Sequence, residues 1–186
     1  DIPWYCDWLD SFLDDRGIDR VRLCVHDWGG LALAWAQRNP ERVDRIVVMD
    51  SVPLLPGYKW HRMARIWRTR WLGEFAMGLT IRPTLKLISR ESNVTPGPLP
   101  DELIDAAMSH FDQGTQRAIL RLYRSAPPET LTAAGLDLKL LDSPALVLWG
   151  QQDPYIPAKF ADDYAAALGN GKAERIDGAG HWPWLD

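Results

Sequence analysis

Three residues able to act as nucleophile, acid or base fall at matched places in the chain: Asp27 in VHDWGG, Asp153 in LVLWGQQDPYIP and His181 in GAGHWPW. Each follows a short run that reads as a strand. A carboxylate can attack carbon. A neutral imidazole with an ordinary pKa of about 6.5 can take a proton from water, and a second carboxylate can fix that imidazole in one tautomer. Attack on a saturated carbon would give an alkyl ester, which histidine-activated water would then split. Taken singly, each residue has a plainer reading. Asp27 could be a helix N-cap, with Gly29 and Gly30 easing a tight turn. Asp153 could be a turn former before Pro154, and His181 a core histidine. Chemistry requires all three to meet.

The elements that must position them can be read from apolar spacing. Trp4, Trp8 and Phe12, four apart, predict a helix over 3–16 with these aromatics on one face, and Gly17 ends it. The apolar run at 20–26 predicts a strand buried on both faces, with Cys24 as a buried thiol, and residues 28–38 predict a helix stopped by Pro40. RIVVMD (45–50) reads as a second strand. Between 51 and about 143 no strand is visible. Residues 59–91 are rich in Arg, Lys and Trp at helical spacing, ESNVTPGPLPDE breaks the pattern, and two more amphipathic helices follow. A strand at 144–150, a helix at 158–168 and a short strand at 173–177 then resume the alternation. Helix and strand in turn are the mark of a parallel sheet with crossovers, and residues 55–136 read as a helical cap inserted between core segments 1–54 and 137–186. The loops carrying Asp27, Asp153 and His181 all leave carboxyl ends of parallel strands, where sites of open α/β sheets gather. With only four strands visible, the sheet is expected to be incomplete and the chain a piece of a longer domain.

Composition narrows the class. The chain has 186 residues, 46% hydrophobic and 25% charged, which fits a globular domain. A net charge of −4 argues against a nucleic-acid partner, and no apolar run is long enough to span a membrane. Cys6 and Cys24 form no metal spacing; a reduced, cytoplasmic setting is the expectation, with no metal or cofactor. The tryptophans, clustered at Trp60, Trp67 and Trp71 and at Trp182 and Trp184, read mainly as core filling.

The order and spacing of VHDWGG, LVLWGQQDPYIP and GAGHWPW resemble the α/β-hydrolase superfamily, and within it the aspartate-nucleophile branch of epoxide hydrolases and haloalkane dehalogenases. The resemblance implies Asp27 as nucleophile on a strained strand-to-helix elbow, His181 as water-activating base and Asp153 as the acid orienting it. It implies the Trp28 backbone N–H as one oxyanion donor, with the Trp28 indole N–H able to face a leaving halide. Gly29 would let strand and helix pack closely. Val25 stands where many relatives carry Gly, as it does in some dehalogenases, and the family's His-Gly-x-Pro loop is absent. Tyr123 in RAILRLYRSAP matches a cap tyrosine that, in epoxide hydrolases, donates to the opening epoxide oxygen. It shares a face with Ile119 and Leu120, leaving Arg117, Arg121 and Arg124 on the opposite side. No second tyrosine matches; Tyr58 and Tyr155 qualify only if loops carry them over Asp27. The expected substrate is a small apolar organic molecule plus water, an epoxide ahead of a haloalkane. A carboxylesterase would prefer Ser or Cys at position 27, and a non-catalytic binding relative would have little need of both Asp153 and His181.

Overall fold

The computed structural model describes residues 1–186. It opens with α1 (Ile2–Asp15), whose first turn is capped by the Asp1 carboxylate accepting the Trp4 N–H at 3.1 Å. Next come β1 (Val21–Asp27), a 3-10 turn (Trp28–Leu31), α2 (Ala32–Arg38) and β2 (Val43–Ser51). Six short helices follow without a strand: α3 (Arg62–Arg68), α4 (Leu72–Gly78), α5 (Arg82–Ile88), α6 (Asp101–Ser109), α7 (Gln113–Ser125) and α8 (Pro128–Ala134). The chain returns to the sheet through β3 (Ala145–Gly150), α9 (Lys159–Ala167) and β4 (Gly171–Ile176). The helix–strand alternation read from apolar spacing is therefore present, with ends shifted by one or two residues, except that the helix expected from residue 28 starts as a 3-10 turn and becomes α-helical only at Ala32.

All four strands are parallel and lie in the order β1-β2-β3-β4. Val25 pairs with Val48, Val48 with Val147 and Val147 with Ala173, so three valines and an alanine line up across the middle of the sheet. Because the strands run the same way, the loops after β1, β3 and β4 leave one edge together. Helix α2 buries Leu33, Ala34, Trp35 and Ala36, and α9 packs on β3 and β4 through Phe160, Ala161 and Tyr164. The buried Tyr164 hydroxyl accepts the Leu54 N–H and donates to the Val52 carbonyl (2.8 and 2.9 Å), fixing the exit from β2. Above this edge α3 and α4 pack on α7. Arg124 on α7 makes a bidentate pair with Glu74 on α4, and the Trp60 indole donates to the Ala126 carbonyl at 3.0 Å. No helix is long and apolar enough to cross a membrane.

Two expectations fail, for one reason. Cys24 is exposed rather than buried, because Arg22 and Cys24 share a face of β1 that no helix covers. In α1 the buried face is Ile2, Cys6 and Leu13, whereas Trp4 and Trp8 are 57% and 51% exposed. Apolar periodicity locates an element but does not reveal whether anything lies against its apolar face.

Candidate active site

The elbow begins with backbone geometry. Asp27 has φ 47° and ψ −123°, a conformation that side-chain-bearing residues rarely adopt and that costs about 1–3 kcal/mol. Its carbonyl accepts the Val52 N–H at 3.0 Å, and the register with β2 shifts between His26 and Asp27, so the sheet itself holds the bend. The Asp27 side chain caps nothing; it lines a cavity of about 230 Å³ together with His181. The glycine that allows close packing is Gly30, not Gly29. A Cβ at Gly30 would come within 3.1 Å of Ser51 Cβ, whereas one at Gly29 would make an ordinary 3.7 Å contact with Val25.

On the far side of the elbow, His181 Nδ1–H donates to Asp153 Oδ2 at 2.9 Å, which leaves Nε2 free. Asp153 Oδ1 accepts the backbone N–H groups of Tyr155 and Ile156 at 2.7 and 3.1 Å, and the Asp153 side chain is fully buried. The loops bearing the two residues interlock backbone to backbone. A Cβ at Gly150 would sit 1.9 Å from the Gly180 carbonyl oxygen, and one at Gly180 would sit 2.5 Å from the Ser92 carbonyl oxygen. His181 is tethered through its own backbone as well: its N–H donates to Ser92 O, and its carbonyl accepts His26 Nε2–H, each at 2.8 Å.

Burial and charge compete here. Burial pushes the Asp27 carboxyl up, opposed by the His181 ring and the Trp28 backbone N–H. For His181, burial pushes down, but the hydrogen bond and charge of Asp153 and then the Asp27 charge outweigh it, so its pKa is raised. Burial lowers His26 and His61 to about 4, so both are neutral and serve as packing and hydrogen-bonding groups.

The cavity wall is aromatic, with Tyr58, Trp60, His61, Trp67, Tyr123 and Tyr155 among its lining. Tyr123 is buried, as its helix face suggested, while Arg117 and Arg121 are exposed and Arg124 turns to Glu74. Burial and the Asp27 charge push the Tyr123 hydroxyl well above its ordinary value. Tyr58 is 3% exposed, and its hydroxyl has no hydrogen-bond partner. Trp28 stacks on Trp60 (5.3 Å) and meets Tyr123 edge-on (4.9 Å), but its side chain lines a separate apolar cavity of about 350 Å³ beside Tyr5, Trp8 and Trp35. Its indole N–H, like that of Trp67, lacks a partner. By contrast, Trp35, Trp60 and Trp149 donate to Asp10, Ala126 and Ile156, each at 3.0 Å. Buried donors normally find acceptors, so Tyr58 and Trp67, facing the Asp27 cavity with none, mark a wall that can receive an acceptor from a bound molecule.

Sequence reasoning missed His26, His61 and Asp50. His61 is a lone histidine with no motif, and His26, although inside VHDWGG, was given no role beside Asp27. Asp50 did carry a signal, since it ends a buried strand as Asp27 and Asp153 follow theirs. No group of three His, Cys, Asp or Glu side chains is placed to hold a metal ion.

This geometry has counterparts among known proteins. Epoxide hydrolase 3 of Mus musculus is 29% identical over 95% of this chain and 53% of its own length. A 2-hydroxy-6-oxononadienedioate/2-hydroxy-6-oxononatrienedioate hydrolase of Cupriavidus pinatubonensis is 26% identical over 94% of this chain and 60% of its own. This chain thus spans between half and three-fifths of these curated relatives. Among solved structures, an ancestral haloalkane dehalogenase superposes with a TM-score of 0.77 at 26% identity, covering 97% of this chain and 68% of the other. The profile described as alpha/beta hydrolase fold matches residues 3–186. With its parallel sheet, its strained elbow at Asp27 and that match over nearly its whole length, the chain belongs to the α/β-hydrolase fold family.

Proposed function

We propose that this chain carries the catalytic centre of a hydrolase that attacks a saturated carbon through Asp27, of the epoxide hydrolase type. The observation that carries the reading is a carboxylate, rather than a hydroxyl or thiol, on the strained elbow, sharing one cavity with His181, whose Nδ1–H is held by Asp153. In the first step an Asp27 oxygen bonds to the substrate carbon while the carbon–oxygen bond of the epoxide breaks, giving an alkyl ester and an alkoxide that takes its proton from a phenol of the cavity wall. In the second, His181 Nε2 takes a proton from water, the hydroxide adds to the ester carbonyl, and the bond from that carbonyl to the diol oxygen breaks. The two protons water brought in end on the leaving diol oxygen and on the phenol, leaving an Asp27 carboxylate and a neutral His181. Asp153 keeps the Nδ1–H tautomer and stabilises the imidazolium. The Trp28 backbone N–H, next after the nucleophile, is the oxyanion donor this chain supplies.

The preference for an epoxide rests on donors. Tyr123 and Tyr58 present hydroxyls in the cavity wall, both subject to the Asp27 charge, and Tyr58 has no other partner. A phenol helps an oxygen that gains charge in the transition state. A haloalkane is the second reading, favoured by the unpartnered Trp67 indole in the wall of the Asp27 cavity and by the dehalogenase likeness. The relatives named as 2-hydroxy-6-oxononadienedioate/2-hydroxy-6-oxononatrienedioate hydrolases are similar over the same span, but an aspartate at position 27 suits ester formation at a saturated carbon. The apolar lining suits a small, aromatic or branched substrate, with water as co-substrate.

Substituting His181→Gln tests the reading. The ester should form and persist, and mass spectrometry should find a substrate-sized adduct on the peptide holding Asp27. An adduct on another residue, or none while the parent protein consumes substrate, would refute it.

A further inference from the structure

At the end of β2 a third carboxyl stands behind the His181–Asp153 pair, and the reaction above does not use it. Asp50 is completely buried and has φ 34°, another rarely adopted conformation. Its Oδ1 accepts the Gly150 N–H at 3.0 Å, while Oδ2 has no donor and no salt bridge. The titratable groups around it are Asp153 after β3 and His181 after β4, with Asp27 and His26 at the end of β1 facing the same pair. Gly150 ties both residues together: its N–H donates to Asp50 Oδ1 at 3.0 Å and its carbonyl accepts the Asp153 N–H at 3.2 Å. Two buried carboxyls thus gather at the end of β3, where two ionised ones would repel while a protonated one can donate to the other. A buried acceptor without a donor is costly.

We propose that Asp50 is a positioning residue that keeps its proton at neutral pH and donates it in a hydrogen bond to Asp153, so that the two carboxyls carry one negative charge between them behind His181. The donor count says which one is ionised. Asp153 accepts from Tyr155 N–H, Ile156 N–H and His181 Nδ1–H, whereas Asp50 accepts only from Gly150 N–H. A carboxylate with more donors holds its charge more easily. Burial, then the Asp153 charge, pushes Asp50 up to about 8, as expected for two carboxyls sharing a site. The arrangement would satisfy Asp50 Oδ2 and hold the Asp153 carboxylate in plane with the imidazole. It would also limit the negative charge facing His181; a second ionised carboxylate would raise the imidazole pKa further and keep it protonated when it must act as base. The spectroscopic part of this inference is independent of the proposed reaction, and only its kinetic part rests on that reading.

Infrared spectra of the parent protein, Asp50→Asn and Asp27→Asn at neutral and alkaline pH test it. The parent should show the carbonyl stretch of a protonated acid at neutral pH, fading as pH rises through about 8. The band should be lost in Asp50→Asn and kept in Asp27→Asn. An absent band in the parent, or one that survives in Asp50→Asn, would overturn the proposal. In turnover of styrene oxide, Asn at position 50 can still donate to Asp153 while Leu cannot, so Asp50→Leu should be slower than Asp50→Asn by about 10- to 100-fold. Equal rates for the two would also overturn it. If Asp50→Leu does not fold, the spectra of the parent and Asp50→Asn still decide. A protein that turns over no epoxide yet shows the band would remove the proposed reaction and leave the shared proton standing.

Discussion

Replacing Gly150 with Ala should damage the site without touching a reactive group. The added Cβ would lie 1.9 Å from the Gly180 carbonyl oxygen and 2.8 Å from the Ala179 carbonyl oxygen. Carbon contacts normally lie at about 3.5–4.0 Å, so the loop after β4 must retreat by more than about 1 Å. That loop cannot move freely. His181 N–H is bound to Ser92 O, the His181 carbonyl to His26, and Gly180 N–H to the Asp186 carboxylate at 2.7 Å. The strain should cost about 1–3 kcal/mol, as overpacking does. A displacement of about 1 Å at His181 should lower kcat about 100-fold. Gly29→Ala is the matched control for stability, since its Cβ would meet only Val25 at 3.7 Å, and a change within about 0.5 kcal/mol is expected. Urea denaturation with unchanged slope, together with steady-state kinetics, measures both effects. A Gly150→Ala protein with parental midpoint and kcat would show that the interlocked loops do not set the His181 position.

The site sets three further outcomes. His181 must be neutral to activate water against the ester and its pKa is raised, so kcat should fall as pH drops through a value above the ordinary 6.5 or so; Asp153→Asn should move that limb downward, and an unmoved limb would detach Asp153 from His181. The same raised pKa contributes stability that is present below the ordinary value and lost as pH rises through the folded one, which denaturation of the parent and His181→Gln across pH would measure. Tyr123→Phe and Tyr58→Phe should each slow epoxide opening by about 10²–10³ while leaving haloalkane turnover much less affected. Neutral effects on epoxides, combined with loss of halide release in Trp67→Phe, would transfer the preference to haloalkanes.

The sheet was legible because β2 and β3 are apolar runs of strand length, and because Gly17 and Pro40 mark the ends of their helices. The placement of Asp27, Asp153 and His181 on one edge followed from parallel strands alone. What a face packs against was not legible: Cys24 and Trp8 obey the apolar pattern yet lie open. Side-chain direction was equally hidden. Trp28 is next to the nucleophile in sequence, but its ring enters the neighbouring cavity, while Tyr58, outside any helix and matched to no motif, lies in the wall facing Asp27. Asp50 was overlooked because a carboxylate at a strand end reads as a turn residue until its burial is seen.

The central claim is that an Asp27 oxygen, not water, makes the first bond to carbon. A single turnover in water labelled with heavy oxygen, with protein in excess over substrate, tests it directly. The account predicts an unlabelled diol oxygen from the attack and one heavy oxygen left in the carboxylate of the Asp27 peptide. A labelled diol with an unlabelled Asp27 peptide would mean that water attacks the substrate directly, and would contradict it.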